Sequence, residues 1–396
     1  MPSVAPPAIT WTAIAAGVLD VHGLPFFEPA AEIMVLPARP AEALCLTSIG
    51  ASLWRRLVRD GPLEDHRVTP AERELLTEME QSAIVARDAG HRARVHRIER
   101  PTLSSPFHEL VYALVAHVAA QNDIACVFIK GPTLFQQGLR NREHSGDVDL
   151  WCAPDRWEHL AEALREWGWS REPHPWQGAQ AHHTITMKPT GWGCEIDVHR
   201  RMPGLTFDDA AAFASLYEHA APARFAGFDA LVPRADAHAV LAALHAVRPE
   251  IGRPPLTDAG RAAAVDLLSR AAGSVDMARE MGAVPALLEV LQEVDPHADF
   301  SEDALGTPRD WEWRSQPTRA RAYWVALRDE PPLVLLRCAM RSIWAPDDVA
   351  LASARRWGDP TTNALRARFR RLKRGFRDVA RSLPSRAGVE RDEAGS

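Results

Sequence analysis

The chain is poor in the features that mark several protein classes at sight. It has five cysteines in 396 residues: Cys45, Cys126, Cys152, Cys194 and Cys338. None forms a C-x-x-C pair and the number is odd, which disfavours a disulfide framework or a thiolate zinc site. No stretch approaches the ~18 uninterrupted apolar residues of a membrane-spanning helix. No basic segment followed by an apolar run opens the sequence, so no secretory signal is read there and a cytoplasmic protein is expected. No G-x-x-x-x-G-K-[ST] loop is present, which disfavours γ-phosphate transfer by that apparatus. Positive charge is not in excess either. A formal net charge of −6 disfavours a nucleic-acid partner for the chain as a whole. What remains, 46% hydrophobic and 25% charged residues, is ordinary globular composition. The length fits two or three domains.

What is present centres on Gly146-Asp147-Val148-Asp149-Leu150. Strand positions i and i+2 share a face, so Asp147 and Asp149 project together while Val148 and Leu150 point into a core. Adjacent like charges are costly without a cation between them, and closely spaced carboxylates suit Mg²⁺. A lone Asp-x-Asp is more often a solvated pair at a strand end, so the neighbouring segments decide.

Upstream, Ile124 to Ile129 reads as a buried strand. It runs directly into Lys130-Gly131-Pro132. Gly131 permits a tight turn and Pro132 suits a first helical position. A strand end, a Lys-Gly turn and a helix start together offer N–H groups and a cation to a phosphate. Arg140, Arg142 and Ser145 precede the Asp pair. They either neutralise phosphate charge or sit in an exposed loop.

Downstream, Trp157, Leu160, Leu164 and Trp167 form one face of a helix, which means core packing. Thr184 to Lys188 alternates as a strand, Pro189-Thr190-Gly191 turns, and Gly193 to His199 returns. Period-two alternation puts Glu195, Asp197 and His199 on one face. Beside the Asp147/Asp149 strand, this return strand would bring a third carboxylate. Of the adjacent His182 and His183, at most one reaches a site; a core histidine is the other reading.

Short strands are expected at Val18–Val21, Ile33–Leu36 and Ala43–Leu46, followed by a helix through Leu53, Trp54 and Leu57. Thr69-Pro70-Ala71-Glu72 opens a second helix. Together these suggest a compact winged-helix-like unit. In the C-terminal half, His238 and His245 share one helix and Asp266 lies on the next. Between 364 and 383, Leu365, Phe369, Leu372, Phe376, Val379 and Leu383 form a stripe opposite many arginines. Such a helix either docks by its stripe with its cations solvated, or touches an anionic membrane or nucleic acid.

Ile129-Lys130-Gly131, Arg142 with Asp147-Val148-Asp149-Leu150, and Asp197-Val198-His199, in this order, resemble the DNA polymerase β nucleotidyltransferase superfamily. More narrowly they resemble a family of uncharacterised bacterial nucleotidyltransferases found near peptide natural-product genes. The resemblance covers about residues 100 to 350. Here Lys130-Gly131 stands where the superfamily has a Gly-Ser turn. Leu46 to Trp54 resembles, more weakly, the RiPP recognition element of the pyrroloquinoline quinone chaperone type.

The resemblance implies an α+β fold. It would have a polymerase β-type mixed sheet with flanking helices, a small N-terminal winged-helix-like domain and a C-terminal helical region. The expected boundaries are 1–90 for the small, candidate peptide-binding domain, 100–235 for the core, 236–383 for the helices and 384–396 for a disordered tail. The implied enzyme is a Mg²⁺-dependent, metal-binding and nucleotide-binding transferase. It would move a nucleoside monophosphate from an NTP, with ATP expected, to a small molecule, peptide or protein, in a setting such as RiPP biosynthesis. By the same resemblance Asp147, Asp149 and Asp197 are catalytic and hold two metal ions, and Lys130, Gly131 and Arg142 bind the nucleotide. Glu195, His199, His183, His245 and Asp266 are further candidates. The competing reading is a non-catalytic peptide-binding or scaffold protein that keeps the fold.

Overall fold

Apolar runs of a few residues, bounded by turn residues, become strands. The computed structural model describes residues 9–25, 27–254, 256–359 and 361–382. Its first strands are β1 (Thr10–Ala13), β2 (Gly17–Asp20), β3 (Ala31–Leu36) and β4 (Leu44–Thr47). β2, β3 and β4 form an antiparallel sheet in that order. Helix α1 (Ser48–Asp60) buries Leu53, Trp54 and Leu57 and stops at Gly61, whose φ of 80° suits glycine. The short β5 (Leu63–Glu64) precedes α2 (Pro70–Gln81), which starts with a full capping box between Thr69 and Glu72. β5 and β6 (Val85–Ala86) flank β1.

Helix α3 (Pro106–Gln121) is apolar almost all round and buried on nearly every side, as such a helix must be. It shares one core with Leu19 and Met34 of the N-terminal strands and with Phe128, Leu150 and Val198 of the central sheet. Gly17 allows the close approach: a Cβ there would lie 2.9 Å from Leu110.

The central elements are β7 (Cys126–Ile129), α4 (Gly131–Gln136), β8 (Asp147–Cys152), α5 (Trp157–Glu166), β9 (Trp169–Arg171), β10 (Thr184–Pro189) and β11 (Glu195–His199). The strands pair in the order β7-β8-β11-β10-β9. β8 and β11 are parallel and the other pairs antiparallel, so the sheet is mixed. After α6 (Asp209–Glu218) comes a hairpin of β12 (Ala220–Phe225) and β13 (Phe228–Pro233) that the sequence reading did not anticipate. Its turn has positive φ at both Ala226 (45°) and Gly227 (86°). That geometry is usually announced by Asn-Gly or Asp-Gly, and Ala-Gly gives no such signal.

The chain divides into two compact units, 1–171 with 184–201 and 209–238, and 172–183 with 202–208 and 239–396. The first holds the sheets. From Ala239 onward the described residues of the second unit form helices and the loops between them, ending in helices Pro332–Ile343, Asp347–Arg356 and Ala364–Ser382. In the last of these the apolar stripe is not the docking face: Leu365, Phe369 and Phe376 are exposed and the small Ala367 is buried. The Val379 side chain, Leu383 and the tail expected at 384–396 lie outside what is described.

Candidate active site

Two strand pairings build the site. β8 and β11 run parallel with Asp149 opposite Asp197, and β7 runs antiparallel to β8 with Ile129 opposite Asp149. Because strand side chains alternate, Asp149, Asp197 and His199 meet on one face. Lys130 leaves the end of β7 beside them.

Asp149 Oδ1 accepts from Lys130 Nζ at 2.6 Å and from His199 Nε2 at 2.9 Å. The carboxylate is almost fully buried. Burial works against its charge, but the His199 hydrogen bond and the Lys130 ammonium outweigh it and hold its carboxyl down at about 2. His199 Nε2 donates to that carboxylate, and its Nδ1 lies 2.8 Å from Thr184 Oγ1. Asp197 accepts from Thr186 Oγ1 at 2.6 Å. Burial, helped by the Asp149 charge, raises its carboxyl above the ordinary value despite His199 and Thr186. A buried acid raised in this way is what a divalent cation would relieve. Ligand atoms of Asp149, Asp197 and His199 lie within 4.8 Å of one another. Two carboxylates and an imidazole fit a divalent ion, with Mg²⁺ or Mn²⁺ favoured by the oxygens.

Asp147 shares the face but lies outside this cluster. The Ser145 hydroxyl sits 2.8 Å from its Oδ1 and 2.9 Å from its carbonyl oxygen, and His108 Nε2 donates to that carbonyl at 3.2 Å.

The backbone of Lys130 is unusual. Its φ of 61° and ψ of −150° lie in a region that is essentially glycine's. Strain of this kind costs on the order of 1–3 kcal/mol and persists only where neighbours fix it. Here the Lys130 N–H donates to His238 Nε2 at 2.7 Å. An accepting Nε2 puts the proton on Nδ1, which donates to Gln137 Oε1 at 2.7 Å; Gln137 Nε2 in turn donates to the Pro233 carbonyl at 2.8 Å. His238 is fully buried, and burial lowers its imidazolium to about 3, in keeping with a neutral ring. Gly131 also has positive φ, and a Cβ there would lie 2.5 Å from the buried Tyr112 hydroxyl.

Arg142 is exposed, while Arg140 is half-buried and donates to the His144 carbonyl at 2.7 Å. Glu195 is exposed and pairs with Lys188 at 3.1 Å. His183, His245 and Asp266 belong to the second unit. His183 Nδ1 lies 3.3 Å from the Ala181 carbonyl, His245 is exposed, and Asp266 is exposed and paired with Arg270 at 2.9 Å.

Thr184, Thr186, His108 and Gln137 were not singled out from sequence. The two threonines were within reach, because the hairpin register sets Thr184 opposite His199 and Thr186 opposite Asp197. His238 was visible only as one of two histidines on a helix.

Residues 55–257 match the sequence profile of a family described as "Uncharacterised nucleotidyltransferase". No match was found among curated proteins. Among solved structures, the lincosamide antibiotic adenylyltransferase LnuA, crystallised with lincomycin, is similar at 17% identity. That match covers 41% of this chain and 96% of that one, with a TM-score of 0.25.

Proposed function

The chain belongs to this nucleotidyltransferase family, and from that premise we propose a Mg²⁺-dependent enzyme that transfers a nucleoside monophosphate from an NTP to an acceptor hydroxyl. ATP is the expected donor. The acceptor is a hydroxyl, or a similar group, on a small molecule, peptide or protein. One observation carries the reading: parallel pairing sets Asp149 opposite Asp197, with the Lys130 ammonium 2.6 Å from Asp149.

In the reaction a bond forms between the acceptor oxygen and the α-phosphorus. The bond from that phosphorus to the bridging oxygen breaks, and pyrophosphate leaves. Asp149, Asp197 and His199, with Asp147 beside them, are the residues that would hold divalent metal. Bound there, the metal would neutralise phosphate charge and acidify the acceptor hydroxyl. Asp197, with its raised carboxyl, is the residue suited to take the acceptor's proton. Lys130, with its ammonium on a flexible stem, turns from Asp149 to the β- and γ-phosphates, which the Gly131 N–H and Arg142 help to bind. Positioning and charge neutralisation of this kind supply most of the rate in phosphoryl-group chemistry.

Within the same reading, residues 1–90 are a winged-helix-like domain that holds a peptide acceptor, 100–235 the catalytic core and 236–383 a helical region. Two features support the peptide role. β4 lies at the edge of its sheet among the described residues, open to strand addition, and Ile49 beside it is exposed. A cytoplasmic location belongs to the reading too. No helix among the described residues is long and apolar enough to cross a membrane.

The test is pyrophosphate release with Mg²⁺, each NTP in turn and candidate acceptors, leader peptides included. The Asp147→Ala/Asp149→Ala double variant should lose it. Unchanged turnover in that variant would refute the proposal.

A further inference from the structure

The C-terminal helices of the second unit carry their apolar residues outward. In helix Ala364–Ser382 the buried contact is Ala367, at 1% exposure, while Leu365, Phe369 and Phe376 are 50%, 58% and 73% exposed. At 100° per residue, Leu365, Phe369, Leu372 and Phe376 lie roughly 140–200° around the helix from Ala367. Helix Pro332–Ile343 repeats the pattern. Its buried contact is Cys338, and the exposed Leu336, Met340 and Ile343 lie opposite, again roughly 140–200° away. The two helices adjoin: the Trp344 and Phe369 rings are 6.2 Å apart, and Arg371 Nε donates to the Ser342 carbonyl at 3.3 Å.

Cations line this apolar surface. Residues 364–382 contain eight Arg or Lys and one acid, in a chain whose net charge is −6. Arg366, Lys373 and Arg377 flank the stripe, while Arg368 and Arg370 pair with Asp347 and Asp359. A shallow groove of ≈ 430 Å³ runs between Leu365, Phe369, Arg366, Arg370 and Lys373. It sets cationic groups beside apolar ones, as an anionic headgroup joined to an acyl chain requires.

We propose that this face docks on an anionic phospholipid surface, the apolar stripe entering the headgroup boundary and the cations meeting lipid phosphates. A helix of low mean hydropathy with a sharp apolar stripe and an arginine-rich flank is the form that lies in a membrane interface. A nucleic acid would engage the cations and leave the two leucine-, methionine- and phenylalanine-bearing stripes in water. A second copy of the chain would bring like charges together. The proposal is independent of the chemistry at Asp149.

The test is co-sedimentation of the full-length protein with vesicles of phosphatidylcholine alone, or of phosphatidylcholine with phosphatidylglycerol. Each cation near an anionic surface is worth about 1 kcal/mol, so binding to the mixed vesicles should be at least roughly tenfold stronger. Phe369→Ser/Phe376→Ser and Lys373→Glu/Arg377→Glu, all at exposed positions, should each weaken it at least about tenfold while melting like the wild type. The proposal is overturned if the protein stays with the supernatant, if lipid charge makes no difference, or if both variants bind as before. Retardation of duplex DNA without vesicle binding, or a dimer that dissolves in the phenylalanine variant without vesicle binding, overturns it as well.

Discussion

His238 Nε2 accepts the backbone N–H of Lys130 at 2.7 Å across 108 residues of sequence. The bond fixes a lysine backbone in a conformation normally left to glycine, and so fixes where its ammonium begins. His238→Phe would leave that N–H buried without a partner, at a cost of about 1–3 kcal/mol. Nucleotide affinity should fall with it, while His238→Gln, which keeps an acceptor, should recover part of the loss. In a double-mutant cycle with Lys130→Ala the effects on affinity should be non-additive. Additive effects would mean that the histidine does not act through Lys130.

The two acids of the Asp-x-Asp motif should not be equivalent. Asp149 lies inside the cluster with Asp197 and His199, whereas the Asp147 carboxylate is engaged by Ser145. Asp149→Asn and Asp197→Asn should each lower kcat/KM on the order of 10²–10³-fold, the scale of losing one preorganised electrostatic group. Asp147→Asn should cost less, about tenfold. Steady-state kinetics of the three variants decides; a reversed order would contradict the placement.

Acid should destabilise the first unit. Burial lowers His238 to about 3 and His117 to about 4, from an ordinary 6.5. Between those values the unfolded chain binds protons that the native rings refuse. The stabilisation is therefore complete above 6.5 and is lost as pH falls. At pH 5 the loss is about 2 kcal/mol for each ring. Asp197, raised in the native state, acts in the opposite sense. The clean readout is a comparison of urea midpoints from pH 7 to 5, in which His238→Gln should show a flatter decline than the wild type.

Much of this site was legible because its chemistry follows strand periodicity. Asp149, Asp197 and His199 could be placed on common faces from alternation alone, and a hairpin was readable from Pro189-Thr190-Gly191. The emphasis on Asp147 came from the same alternation, which says which face a residue shares but not which oxygen another side chain engages. Lys130 was legible as a strand end, yet its supporting histidine was not. Nothing local distinguishes His238 from His245, and the difference lies in which one a distant turn meets. The β12–β13 hairpin escaped for lack of turn chemistry. Its strained Ala226 is held instead by a buried acid from α3.

That acid is Glu109. Its Oε1 accepts from Ala226 N at 2.9 Å, and its Oε2 from Thr102 N at 2.7 Å and Leu103 N at 2.9 Å. Glu109→Gln turns a donor toward N–H groups that need an acceptor. It should destabilise the protein by about 3 kcal/mol, the scale of a buried charge-assisted hydrogen bond with its unpaired partner. Chemical denaturation measures this, and a change under about 0.5 kcal/mol, the size of a surface substitution, would contradict the role.

The most direct test of the central claim needs no acceptor. A non-hydrolysable NTP analogue is titrated calorimetrically into the full-length protein with Mn²⁺ or Mg²⁺, or with chelator. Asp149, Asp197 and Lys130 acting together predict binding that requires the metal and weakens at least about tenfold, or 1.4 kcal/mol, in Asp149→Asn and in Asp197→Asn. Equal binding with and without metal, or in wild type and both variants, would contradict it.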